Sequence, residues 1–135
     1  MPEEHHELLL HPMVVHFPIA FYCLELLLLI LWQVKKDDSY LKFSFFIFRI
    51  AYVAMITAMI TGYLMAGGGI PPMVRKHFAS AVTLFIVSTA RGVLWYRMMK
   101  NNRVKPWVLI VGALIGVLVV AVTADFGADM VYSDH

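Results

Sequence analysis

Charge is what this chain has least of: Lys, Arg, Asp and Glu together make up 15% of its 135 residues. A soluble globular domain carries about a quarter, so the composition excludes an ordinary one. Cysteine occurs once, at Cys23, which excludes an internal disulfide framework. Set inside an apolar run, that residue reads as a small apolar filler. Glycine is sparse too, and its one cluster, Gly67-Gly68-Gly69, runs toward the double proline at 71–72. A phosphate-cradling loop would instead open a helix. No basic patch interleaved with aromatics lies beyond the short loops, which disfavours nucleic acid. No nucleophile–base arrangement supports independent catalysis, and no Cys/His spacing matches a zinc signature.

What is present in abundance is apolar surface, 61% of the residues. It falls into four runs nearly free of charge, at about 13–34, 43–66, 77–97 and 106–125. Each approaches the ~20 residues a helix needs to cross a hydrocarbon core. Lipid offers backbone amides no partners, so such runs must be helices or closed barrel strands. They are too long, and too continuously apolar, for strands that alternate over about 10 residues. The expected fold is an all-α integral membrane protein: one domain over 1–135, an up-down-up-down four-helix transmembrane bundle with lipid as its first partner. The acidic leader (Glu3, Glu4, Glu7) and the lack of a small-x-small site argue against a cleaved signal in the first run.

Basic residues orient the bundle. Lys35, Lys36 and Lys42 fall in one loop and Arg97, Lys100, Arg103 and Lys105 in another, against only Arg75 and Lys76 on the opposite side. Positive residues favour the inside, so both termini are expected outside. All six histidines (His5, His6, His11, His16, His77 and His135) then gather toward the outer face. His11 and His16 belong to the opening His-Pro-Met-Val-Val-His-Phe-Pro, residues 11–18, and His77 opens the third run. Imidazole at a membrane boundary is costly unless it meets water, a hydrogen-bond partner or a metal.

Short loops make consecutive helices antiparallel neighbours, which puts the first and third on a diagonal. His16 and His77 can then grip a planar cofactor from both faces, and haem is one that bundle cores hold. His16 lies nearer the membrane than His11 and is the better candidate, while His11 either substitutes for it, supports it or binds a second cofactor. Pro12 suits a first helical turn. Pro18 then either interrupts that helix or starts a new one just after His16. Arg75 and Lys76 beside His77 suit haem propionates and lipid headgroups equally.

Small residues recur at Ala54, Ala58 and Gly62 in the second run and at Gly112 and Gly116 in the fourth. They read as close helix packing or as room for a porphyrin. Trp32, Trp95 and Trp107 fall at the inner interface, as an aromatic belt would. Glu25, Arg49 and Arg91 lie inside the spans and are expected to cluster, as a structural ionic lock in preference to a proton relay. Asp125 reads either as a carboxylate holding an inner histidine or as a solvated helix end.

The HPMVVHFP opening, Gly62, the basic pair with His77, and the closing FGADMVY at 126–132 together make the chain resemble the DUF2231 family of small bacterial and archaeal membrane proteins. The resemblance covers nearly the whole chain, and Ala81 departs from it where many relatives have a polar residue. Related domains occur fused to Rieske-type or cytochrome c-like modules. That implies redox work in a prokaryotic plasma membrane, with His11, His16 and His77 as candidate ligands of haem b. The leading expectation is a cytochrome b-like electron-transfer protein or subunit with His16 and His77 axial. Its partner would be an outer-side redox protein or another subunit of a membrane complex. A cofactor-free accessory subunit of a respiratory or photosynthetic complex is the alternative, and an outer-face Zn or Cu site the third.

Overall fold

The computed structural model describes the backbone of residues 2–65, 67 and 75–132 and the side chains of 16–64, 67 and 75–125. Four α-helices account for it: α1 (Pro2–Lys35), α2 (Asp38–Met65), α3 (Arg75–Lys100) and α4 (Pro106–Tyr132). Each contains a stretch long and apolar enough to cross a membrane: His16–Lys35, Asp38–Leu64, Arg75–Lys100 and Pro106–Asp125. At about 1.5 Å per residue, the 34 residues of α1 reach well past a ~30 Å core. Large apolar side chains such as Phe46, Val53, Ile86 and Leu118 point outward, a surface that only lipid or another apolar partner covers at low cost.

The turns have local causes. Lys36 adopts φ 56° and closes α1 by donating its amide to the Trp32 carbonyl at 2.9 Å. Asn102, at φ 52°, does the same for α3: its amide reaches Met99 and the next one, Arg103, reaches Met98. This is the paired closure of a Schellman motif. Pro106 opens α4 at the position where a missing N–H costs nothing.

Asp37 caps α2, its Oδ1 accepting the Ser39 amide at 2.9 Å. That backbone bond, with the Ser39 side chain, holds the Asp37 carboxyl below its ordinary value. A lowered folded-state pKa stabilises fully above the unfolded value, about 3.9, and the benefit disappears as pH falls through the folded one. The melting-temperature difference between wild type and Asp37→Asn in detergent should therefore be flat above pH 5 and change only below about 3.9.

Pro12 and Pro18 do not divide α1, which continues as α-helix through both. The expectation of a fresh helix after His16 is thereby corrected. Pro18 is buried on the core face, where packing offsets the one hydrogen bond its ring removes.

α1 packs most extensively on α2 and also on α4, and α4 on α3, whereas α2 and α3 touch sparsely. α1 and α3 are therefore diagonal, as are α2 and α4. The buried stripes repeat in steps of four and three: 18, 22, 25, 29 and 32 on α1; 41, 44, 48, 51 and 55 on α2; 84, 88, 91 and 95 on α3; 109, 113, 116, 120 and 123 on α4. Such a 3.5-residue period belongs to left-handed bundles with interlocking side chains. One apolar cluster, around Leu29, Phe48, Trp95 and Leu109, fills the end with the 36–37 and 101–105 turns. A second, around Met55, Leu84 and Val120, fills the bundle toward the termini.

The tryptophan expectation changes on this frame. Trp95 is fully buried and Trp32 nearly so, while Trp107 is exposed, so the first two tryptophans are core and only the third suits a belt. Cys23 is a free thiol on the exposed face of α1.

Candidate functional site

Polar side chains occupy the core stripe at two levels. Midway along the bundle, Glu25 of α1 and Arg91 of α3 form a buried ion pair through Oε1 and Nη2. One turn nearer the termini, the hydroxyls of Tyr22 and Ser88 share a hydrogen bond, and both residues are fully buried. The Tyr22 hydroxyl also lies 3.7 Å from Met55 Sδ, and Ser44 donates to the Glu25 backbone carbonyl at 3.2 Å. Arg91 stacks its guanidinium over the Phe48 ring, 4.9 Å from the centroid. Glu25 Oε2, Arg91 Nη1 and Trp95 Nε1 are buried with no hydrogen-bond partner among the described residues.

Glycines of α4 make room for this network. A Cβ on Gly112 would stand 3.1 Å from Arg91 Nε, and one on Gly116 would stand 3.0 Å from Nη1 and 3.2 Å from the Tyr22 ring. The spacing expected to serve backbone packing or a porphyrin thus accommodates an arginine and a tyrosine. Arg49, expected in the same cluster, is not there. It is exposed, its guanidinium 5.1 Å from the Phe45 ring. Position 49 falls outside the four-three stripe that carries 48 and 51, which turns it away from Glu25. Ala54 likewise lines an outward groove with Arg49, whereas Ala58 faces the core.

Near the termini, His77 is half-buried and its Nδ1–H donates to the Thr123 backbone carbonyl at 2.9 Å. A carbonyl can only accept, so the neutral ring carries its lone pair on Nε2. Beneath the ring is a cavity of about 50 Å³, lined among others by Pro18, Met55, Ala58, His77, Leu84 and Val120.

The other expected site residues scatter. His16 is exposed and does not line this cavity. It lies two residues, about 200° of helix, from Pro18. Gly62 is partly buried on α2, and Arg75 and Lys76 are exposed in the first turn of α3. Asp125 is exposed, and the α4 group holding His77 is the Thr123 carbonyl. The side chains of His5, His6 and His11, and His135, lie outside the described residues. Among those described, no group of three or more His, Cys, Asp or Glu is placed to hold a metal ion.

A family profile described as predicted membrane protein (DUF2231) matches residues 7–135. The chain belongs to the DUF2231 family. No curated protein and no solved structure shows detectable similarity to it. In this DUF2231 chain the sequence reading missed Tyr22, Ser88 and Thr123. The first two carried a usable signal: each precedes a charged span residue, Glu25 or Arg91, by three positions and so shares its helix face. Thr123 acts through its backbone, which no side-chain pattern reports.

Proposed function

We propose that this DUF2231 chain is a membrane-integral electron-transfer module that holds haem b at the end of the bundle nearer its termini, with His77 as an axial ligand. The observation that carries the reading is the His77–Thr123 hydrogen bond. Donation from Nδ1 to a backbone carbonyl fixes the tautomer and aims Nε2, as partners of metal-bound imidazoles do.

The room available limits where the group can lie. A cavity of about 50 Å³ accommodates a few waters, whereas drug-sized ligands need about 300 Å³ or more. A macrocycle would therefore need more room than this cavity offers. Haem so held supplies reversible one-electron transfer at its iron.

The residues around it have separate tasks. Met55, Leu84 and Val120 close the core below His77 against water. Arg75 and Lys76, exposed one turn from the ring, offer charges to propionates or to lipid headgroups. The Glu25–Arg91 pair braces α1 against α3 from within, the lock role rather than the relay.

Oxidised and dithionite-reduced spectra of the protein, purified from membranes supplied with haem, test this directly, together with a pyridine haemochrome assay. A reducible Soret band with about one haem per chain is the expected result. Purified protein without haem overturns it and favours a cofactor-free subunit of a larger membrane complex.

A further inference from the structure

Arg49 is a cation on the outer surface of a membrane-crossing helix. It lies about 16 Å along the axis from Asp38, where α2 begins, which is about half of a ~30 Å hydrocarbon core. Its neighbour fixes the same depth. Phe48 packs against the guanidinium of Arg91, which pairs with Glu25 midway along the bundle. Phe48 is buried there, whereas Arg49 is exposed. A charge that faces lipid at this level is costly until an anion meets it. Among the described residues the one ion pair is Glu25–Arg91, so the anion for Arg49 comes from outside the bundle.

The surroundings on α2 show what that anion is attached to. The guanidinium lies 5.1 Å from the centre of the Phe45 ring, one turn nearer the start of the helix. The side chain therefore reaches back toward the membrane boundary, as long basic side chains in lipid do. Lys42 stands two turns before Arg49 on the same exposed stripe, 42, 46, 49 and 53. In the other direction an apolar groove is lined by Phe46, Arg49, Ile50, Val53 and Ala54. Two cations toward the boundary and hydrocarbon beyond them match a phosphate followed by an acyl chain.

The charge of the headgroup follows from the same end of the bundle. Basic residues crowd its turns, from Lys35 and Lys36 to Arg103 and Lys105, against Asp37 and Asp38. Those two carboxylates are engaged locally, by the Ser39 amide and the Trp32 indole. A zwitterionic headgroup brings its own cation into this field, and an anionic one does not. A second copy of the chain is a poor match, because Glu25 is the only acidic side chain described at this depth and is fully buried.

We propose that the outer face of α2 binds one anionic phospholipid, its phosphate held between Lys42 and Arg49 and an acyl chain lying along Phe46, Ile50, Val53 and Ala54. The site is separate from His77 and does not depend on the haem reading.

Native mass spectrometry of the delipidated full chain tests this, with dioleoylphosphatidylglycerol and dioleoylphosphatidylcholine titrated separately in detergent. Wild type should hold one phosphatidylglycerol more tightly than phosphatidylcholine. Arg49→Gln should weaken that binding about fivefold, the effect of one basic residue on an anionic lipid, and Arg49→Lys should retain most of it. Lys105→Gln removes the same charge next to α4, diagonal to α2, and should leave the binding unchanged. Equal weakening by Arg49→Gln and Lys105→Gln would reduce the effect to overall charge and overturn the site, as would equal affinity of wild type for both lipids. A membrane protein that co-purifies with wild type and is released by Arg49→Gln would also overturn it, in favour of a carboxylate on another helix.

Discussion

Glu25→Leu should destabilise the bundle by about 3–5 kcal/mol, the cost of leaving one member of a buried ion pair without its partner. Glu25 is fully buried and Arg91 nearly so, at 9% exposure, so the stranded guanidinium has no water to turn to. The Glu25→Leu/Arg91→Leu double variant should recover most of the loss, since replacing both members with apolar groups removes the desolvation penalty along with the attraction. The unpaired Glu25 Oε2 and Arg91 Nη1 strengthen this expectation, because the native pair is itself incompletely satisfied. Reversible unfolding in mixed micelles, run on all four members of the cycle, measures it. A single variant costing under about 1 kcal/mol, the size of an exposed pair, would show that the pair is solvated. A double variant as unstable as the sum of the singles would show that its value lies in shape alone.

Trp95→Ala should cost about 3 kcal/mol, the lower end of the range for large aromatic truncations in soluble cores. The lower end applies because unfolded helices remain in lipid, which leaves the lost packing rather than water transfer as the main term. Trp95 is fully buried, its ring 5.1 Å from Phe45 and 5.4 Å from Phe48. Truncation therefore opens a void in the cluster that joins α2 to α3, which otherwise touch little. Trp95→Phe should lose far less, since its Nε1 has no hydrogen-bond partner to forfeit. Unfolding monitored by far-ultraviolet circular dichroism checks both variants. Equal losses for Ala and Phe would mean that the indole N–H matters and the packing does not.

Much of the fold was legible because hydrocarbon imposes a simple rule. A run without charge must form internal backbone hydrogen bonds, and the four runs at about 13–34, 43–66, 77–97 and 106–125 became helices for that reason. The faces of those helices were harder to read. In a bundle whose outside is also apolar, hydrophobicity does not distinguish core from surface, so Trp95 and Ala54 were assigned to the wrong surroundings. Polar residues were better guides, but a pairwise count of depth along the spans could not separate Arg49 from Arg91. That separation comes from their angles on α2 and α3.

The same limit shaped the histidines. Depth along the chain favoured His16, and nothing in the sequence ties α1 to α3, since no loop connects them directly. What the sequence determined by itself was four membrane-crossing helices with imidazoles crowded at the end nearer the termini and a few charges that had to find partners in lipid. What only the tertiary structure decided was the register between diagonal helices. Side-chain contacts such as Tyr22–Ser88 and Glu25–Arg91 set that register.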